Sequence, residues 1–189
     1  MISSQVASLY DLLGFAVPFI LQAKILMRSM TATNTNSSNS SGGGVNWDEP
    51  LDYCMVHEWK AFFKNLFGLI KVTFRRPLKP CNAIGTPGLI VFADGSQLAY
   101  EACAYFKWQT GEDKFEAKLI VAKNKIAPVR QLTIPQLELC GALISARLRT
   151  AIMKEFKWEF ESVYHITDSS IVRLQIQKES NGFNTFVAV

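Results

Sequence analysis

The spacing of hydrophobic positions divides the chain into segments of different character. Over residues 1–30, Val6, Leu9, Leu13, Ile20, Ala23 and Met27 recur at roughly helical spacing. Gly14 and Pro18 interrupt the run, which predicts two short helices rather than one. Residues 31–44, TATNTNSSNSSGGG, cannot bury apolar surface and read as a mobile Ser/Asn/Gly linker. Residues 53–70 carry Met55, Trp59, Phe62, Phe63, Leu66 and Leu69 on one broad face, which predicts a further helix with a core or interface stripe. With three prolines and two glycines, residues 75–88 read as a loop and a domain boundary.

From residue 88 the pattern becomes that of a sheet. Leu89-Ile90-Val91-Phe92 is fully apolar, as in a buried central strand, and ends at the turn signal Asp94-Gly95-Ser96. Residues 98–108 and 115–123 read as two more strands around the turn Thr110-Gly111-Glu112-Asp113, giving a three-stranded antiparallel meander. Thr133, Pro135 and Gln136 form a helix start with a capping box. That helix should reach about Phe156, with Leu137, Ile144, Leu148 and Ile152 facing the core. Residues 162–167 read as a fourth strand, followed by a short helix and the start of a fifth strand near Phe183–Val189. The class is α/β, with the order β-β-β-α-β-α after a helical segment. The expected divisions are 1–30, 31–44, 45–87 and 88–189.

Composition adds three points. Twenty Lys and Arg against sixteen Asp and Glu give a net charge of +4. A mildly basic chain suits an acidic polymer, and Lys123, Lys125, Arg130, Arg147 and Arg149 are candidate nucleic-acid contacts or ordinary solvated residues. Cys54, Cys81, Cys103 and Cys140 form no CxxC pair and have mostly apolar flanks, which predicts buried free thiols in a reducing compartment. The apolar run from Leu12 to Leu21 is too short to span a bilayer, lacks a basic flank and contains Pro18, so neither secretion nor a membrane is expected.

Asp94 and Asp168 each follow an apolar strand. If those strands lie side by side and parallel, the two carboxylates become neighbours. Glu138 lies near the start of an otherwise apolar helix, and the small residues Gly141, Ala142 and Ser145 should leave room beside it for an ion or a phosphate. Three carboxylates brought together repel, and divalent metal relieves the repulsion. Oxygen donors suit Mg²⁺ or Mn²⁺, and two ions about 4 Å apart can activate water and stabilise the leaving oxygen of a phosphodiester. The alternative for each residue is structural: Asp94 and Asp168 as turn or cap residues, Glu138 as a solvated helix residue. No Asp-Thr/Ser-Gly, HExxH or Tyr-x-Asp-Asp signature occurs.

Residues 88–189 resemble the ribonuclease H region of Pao/BEL-type long-terminal-repeat retrotransposons. The likeness rests on Phe92-Ala93-Asp94-Gly95-Ser96, Ala122-Lys123-Asn124-Lys125-Ile126-Ala127-Pro128, Leu132-Thr133-Ile134-Pro135-Gln136-Leu137-Glu138-Leu139-Cys140 and Ile166-Thr167-Asp168-Ser169-Ser170. Ser4-Gln5-Val6-Ala7-Ser8-Leu9-Tyr10-Asp11, Leu13-Gly14-Phe15, Ala23-Lys24-Ile25-Leu26 and Trp47-Asp48-Glu49-Pro50 are similar to the segment joining the family's polymerase and ribonuclease H domains. The resemblance implies a ribonuclease H-like fold and hydrolysis of RNA in RNA–DNA hybrids during reverse transcription. It also implies Asp94, Glu138 and Asp168 as metal ligands, the rest of the polyprotein as partner, and a cytoplasmic virus-like particle or the nucleus as location. Gly95 stands where the family usually has alanine, Leu12 replaces a usual proline, and Arg173 and Gln175 fall where apolar residues and tryptophan are common. The family's fourth carboxylate lies further C-terminal than this chain extends. Three readings therefore stay open: a working nuclease, a non-catalytic nucleic-acid-binding module, and an inert retroelement remnant.

Overall fold

The computed structural model describes residues 2–36, 50–73, 75, 77–130 and 132–178. The chain divides into two compact units: Met1–Asp11 with Ala16–Arg75, and Leu12–Phe15 with Arg76–Val189.

In the first unit, helices α1 (Ile2–Ala7) and α2 (Val17–Asn36) replace a single long one, as the interrupted pattern predicts. Gly14, at φ +82°, lies between them. Pro18 falls in the first turn of α2, where its missing N–H costs no helical bond. The Asp11 carboxylate accepts from the Ala16 N–H just before that helix, at 2.7 Å. Helix α2 continues through residues 31–36, into the stretch expected to be linker. Residues 37–44 of that stretch lie outside the described residues. Helix α3 (Tyr53–Gly68) buries Trp59 and Phe62 against Ala23 of α2.

The second unit holds a four-stranded sheet of order β3-β2-β1-β4. Its strands are β1 (Ile84–Gly95), β2 (Ala99–Gly111), β3 (Lys114–Ile126) and β4 (Val163–Ile166). Strands β1, β2 and β3 form the expected antiparallel meander, and β4 joins β1 in parallel. Strand β1 starts at Ile84, inside the segment expected to be a loop, with a register irregularity before Gly88. Leu13 belongs to this unit as well: its carbonyl accepts from the Ala122 N–H of β3 at 2.8 Å.

Helix α4 (Ile134–Glu155) crosses one face of the sheet between β3 and β4. The Gln136 side chain accepts from the Thr133 N–H at 2.9 Å, so the N-terminal signal acts as the sequence predicts. Leu137, Ile144, Leu148 and Ile152 are all buried. The last three pack on Leu89, Val91, Ala104 and Phe106. Each such large side chain contributes about 1.5–3 kcal/mol by leaving water. Phe156, Trp158 and Phe160 surround Phe106 with ring centroids 5.1–5.8 Å away. On the other face Phe92 remains 39% and Ile166 44% exposed. Helix α5 (Ser170–Gln177) follows β4. The strand expected near Phe183–Val189 lies outside the described residues.

Candidate functional site

The parallel register of β1 and β4 pairs Phe92 with Ile166. Asp94 stands two residues further along β1, and Asp168 stands in the bend two residues past the end of β4. Both carboxylates are exposed there. They line one cavity of about 280 Å³, together with Phe92, Cys103, Ile166 and a residue that motif reading passed over, Glu101. Glu101 of β2 is the antiparallel partner of Asp94. Counting outward from the Ser96–Leu98 turn would have brought it into view.

Glu138 arrives from the helix side. Its approach depends on two residues without side chains. A Cβ on Gly95 would stand 2.5 Å from the Glu138 amide nitrogen and 2.6 Å from the Leu137 carbonyl carbon. A Cβ on Gly141 would stand 2.6 Å from the Asp94 carbonyl oxygen. The end of β1 and the start of α4 therefore meet backbone to backbone. This corrects one expectation. Gly141 opens no space for an ion, because the Asp94 carbonyl fills it. Ser145 is buried too, with its hydroxyl 2.6 Å from His165 Nδ1.

Glu138 is half-buried, and its Oε2 accepts from the Ser169 hydroxyl at 2.5 Å. Asp168 does not cap α5; that role belongs to Ser169, whose oxygen accepts from the Val172 N–H at 3.2 Å. The turn-forming alternative holds in part for Asp94, since Oδ1 accepts from the Gly95 N–H at 2.7 Å. The three carboxylates thus occupy neighbouring backbone positions. Among the described residues, however, no three His, Cys, Asp or Glu side chains are gathered closely enough to hold a metal ion as they stand. Asp94 and Asp168 line one cavity, whereas Glu138 comes from α4 and is tied to Ser169. In donor chemistry the set fits a hard divalent cation, being oxygen only.

The basic candidates come from β3, the loop after it and α4. Lys123 and Lys125 are exposed on β3, and Arg130 is exposed in the loop after it. Arg147 and Arg149 are both exposed on α4. The Lys125 charge acts on Cys140 of α4, and the Arg147 charge on Tyr100 of β2. Arg149 acts instead on His165, toward β4. Burial, and secondarily the Arg149 charge, hold the His165 pKa below its usual value. Burial raises the Cys103 and Cys140 thiols. All four cysteines are free, but Cys54 and Cys81 are exposed, which corrects the expectation of four buried thiols. Cys54 is exposed on α3 and Cys81 in the turn before β1.

No helix among the described residues is long and apolar enough to cross a membrane. No curated protein matches the chain in sequence. A family model, the Pao retrotransposon-like RNaseH-like domain, matches residues 1–169, a span that takes in the helical unit, the whole sheet and all three carboxylates. The sheet order, the parallel β1–β4 pairing and that match agree, and the chain belongs to the Pao retrotransposon RNase H-like family.

Proposed function

We propose that the chain supplies the ribonuclease H step of a retroelement polyprotein, hydrolysing the RNA strand of RNA–DNA hybrids. The observation that carries this reading is that Asp94, at the end of β1, and Asp168, just past the end of the parallel β4, line one cavity, with Glu138 held against Gly95. Asp94, Glu138 and Asp168 would hold two Mg²⁺ or Mn²⁺ ions. Such ions supply an activated water and charge stabilisation at the leaving oxygen. The chain's own contribution is placement: two carboxylates on rigid strand ends and a third on the first turns of a helix anchored by the sheet core. Lys123, Lys125, Arg130 and Arg149 are proposed contacts to the phosphate backbone of the hybrid. The rest of the polyprotein is the proposed covalent partner, in a cytoplasmic particle or the nucleus.

The test is cleavage of an end-labelled RNA–DNA hybrid in Mg²⁺ or Mn²⁺, with DNA duplex and RNA duplex alongside. Hybrid-selective cleavage that disappears in Asp94→Asn supports the reading. A second reading has its own observation: the three carboxylates are not gathered into a closed ligand set. It makes the chain a hybrid-binding module without turnover. Salt-dependent binding of the hybrid by a folded chain, without cleavage in either metal, identifies that case.

A further inference from the structure

We infer that Ser169 is the positioning residue of this site, with its hydroxyl aiming the Glu138 carboxylate. The inference rests on the metal-binding reading above. Ser169 is 7% exposed and sits immediately after Asp168. Its Oγ donates to Glu138 Oε2 at 2.5 Å and accepts from the Val172 N–H at 3.2 Å, while its own N–H donates to Thr167 Oγ1 at 3.2 Å. The buried hydroxyl therefore fastens the first turn of α5 to the glutamate on α4, and the Ser169 amide ties in the segment carrying Asp168. A hydroxyl bound to a carboxylate is a short, strong, charge-assisted contact. It takes one glutamate oxygen and leaves Oε1 as the oxygen available to a cation. Without it, Glu138 would be free to swing into solvent away from the two aspartates, and ordering it again would weaken ion binding.

A purely structural role for Ser169 makes a different prediction, and two substitutions separate them. Gly serves nearly as well as Ser at a helix N-cap, whereas Ala does not. Ser169→Gly thus spares the cap but removes the donor to Glu138, and Ser169→Thr keeps both. The experiment measures Mn²⁺ binding to the full chain by calorimetry, together with a metal-free unfolding cycle of Ser169→Gly, Glu138→Gln and the double variant. Positioning predicts Mn²⁺ affinity about tenfold or more weaker in Ser169→Gly, restored in Ser169→Thr. It also predicts a coupling of roughly tenfold in the unfolding constant between the two sites. Coupling with unchanged Mn²⁺ affinity in Ser169→Gly would overturn positioning and leave Ser169 as a structural tie. Absence of Mn²⁺ binding by the unaltered chain would instead overturn the metal reading beneath it.

Discussion

Gly95→Ala tests the backbone contact on which the site is built. The added Cβ would lie 2.5 Å, 2.6 Å and 2.8 Å from three backbone atoms of Leu137 and Glu138. Ordinary contact begins at 3.4 Å, so β1 and α4 must separate by about 0.9 Å, with no side-chain rotation to absorb the clash. Overpacking of this kind costs about 1–3 kcal/mol. Alanine recovers roughly 0.5–1 kcal/mol through reduced backbone freedom in the unfolded chain. The clash wins, and the net loss is about 1.5 kcal/mol, or roughly 5–10 °C in Tm for a unit of this size. In this chain the same displacement carries Glu138 away from the aspartates, at a cost of about a hundredfold for a shift near 1 Å; because the resembling family usually has alanine here, that cost is specific to the close β1–α4 spacing of this chain. The assay is urea unfolding and hybrid cleavage of Gly95→Ala beside Gly68→Ala. Gly68 ends α3 with nothing within 4 Å of its Cβ position, so that change should stabilise by about 0.4–1 kcal/mol. A Gly95→Ala chain as stable and as active as the unaltered one would refute the close approach of β1 and α4.

Gly141→Ala presses the same junction from the helix side, but gains about 1 kcal/mol of helix propensity; it should be milder than Gly95→Ala, and the double variant should be non-additive in unfolding titrations. The His165 pKa is lower folded than unfolded, so protonation favours the unfolded chain. Stability should therefore rise with pH through the window ending near about 6.5, and His165→Gln should flatten that part of the Tm-against-pH curve. Thiol titration should label Cys54 and Cys81 first, and Cys103 and Cys140 only slowly at neutral pH. Leu148→Ala should cost about 2–5 kcal/mol, since Leu148 is 3% exposed between α4 and the sheet.

Elements whose signals are local were legible in the sequence. The apolar run before Asp94, the Thr133–Gln136 helix start and the Leu137–Ile152 stripe each specify their structure within a few residues. The parallel placement of β4 on β1, which the sequence left as a condition for neighbouring aspartates, is met. What escaped depends on long-range register. Glu101 joins the cavity only because β2 pairs residue for residue with β1, and Ser169 meets Glu138 across 31 positions. Gly141 looked like spare room because sequence spacing reports which side chains share a helix face, not which backbone lies opposite. Leu13 joined the sheet unit for a similar reason: its bond to Ala122 uses a main-chain carbonyl, which leaves no trace in side-chain pattern.

On the proposed function, Asp94, Glu138 and Asp168 hold divalent metal together. The most direct measurement is anomalous diffraction from crystals of the full chain soaked in Mn²⁺. Peaks bounded by these three carboxylates are expected, with Glu138 Oε2 still bound to Ser169, and they should be lost in Asp94→Asn. A folded chain with no Mn²⁺ there, or with Mn²⁺ held by other residues, would contradict it.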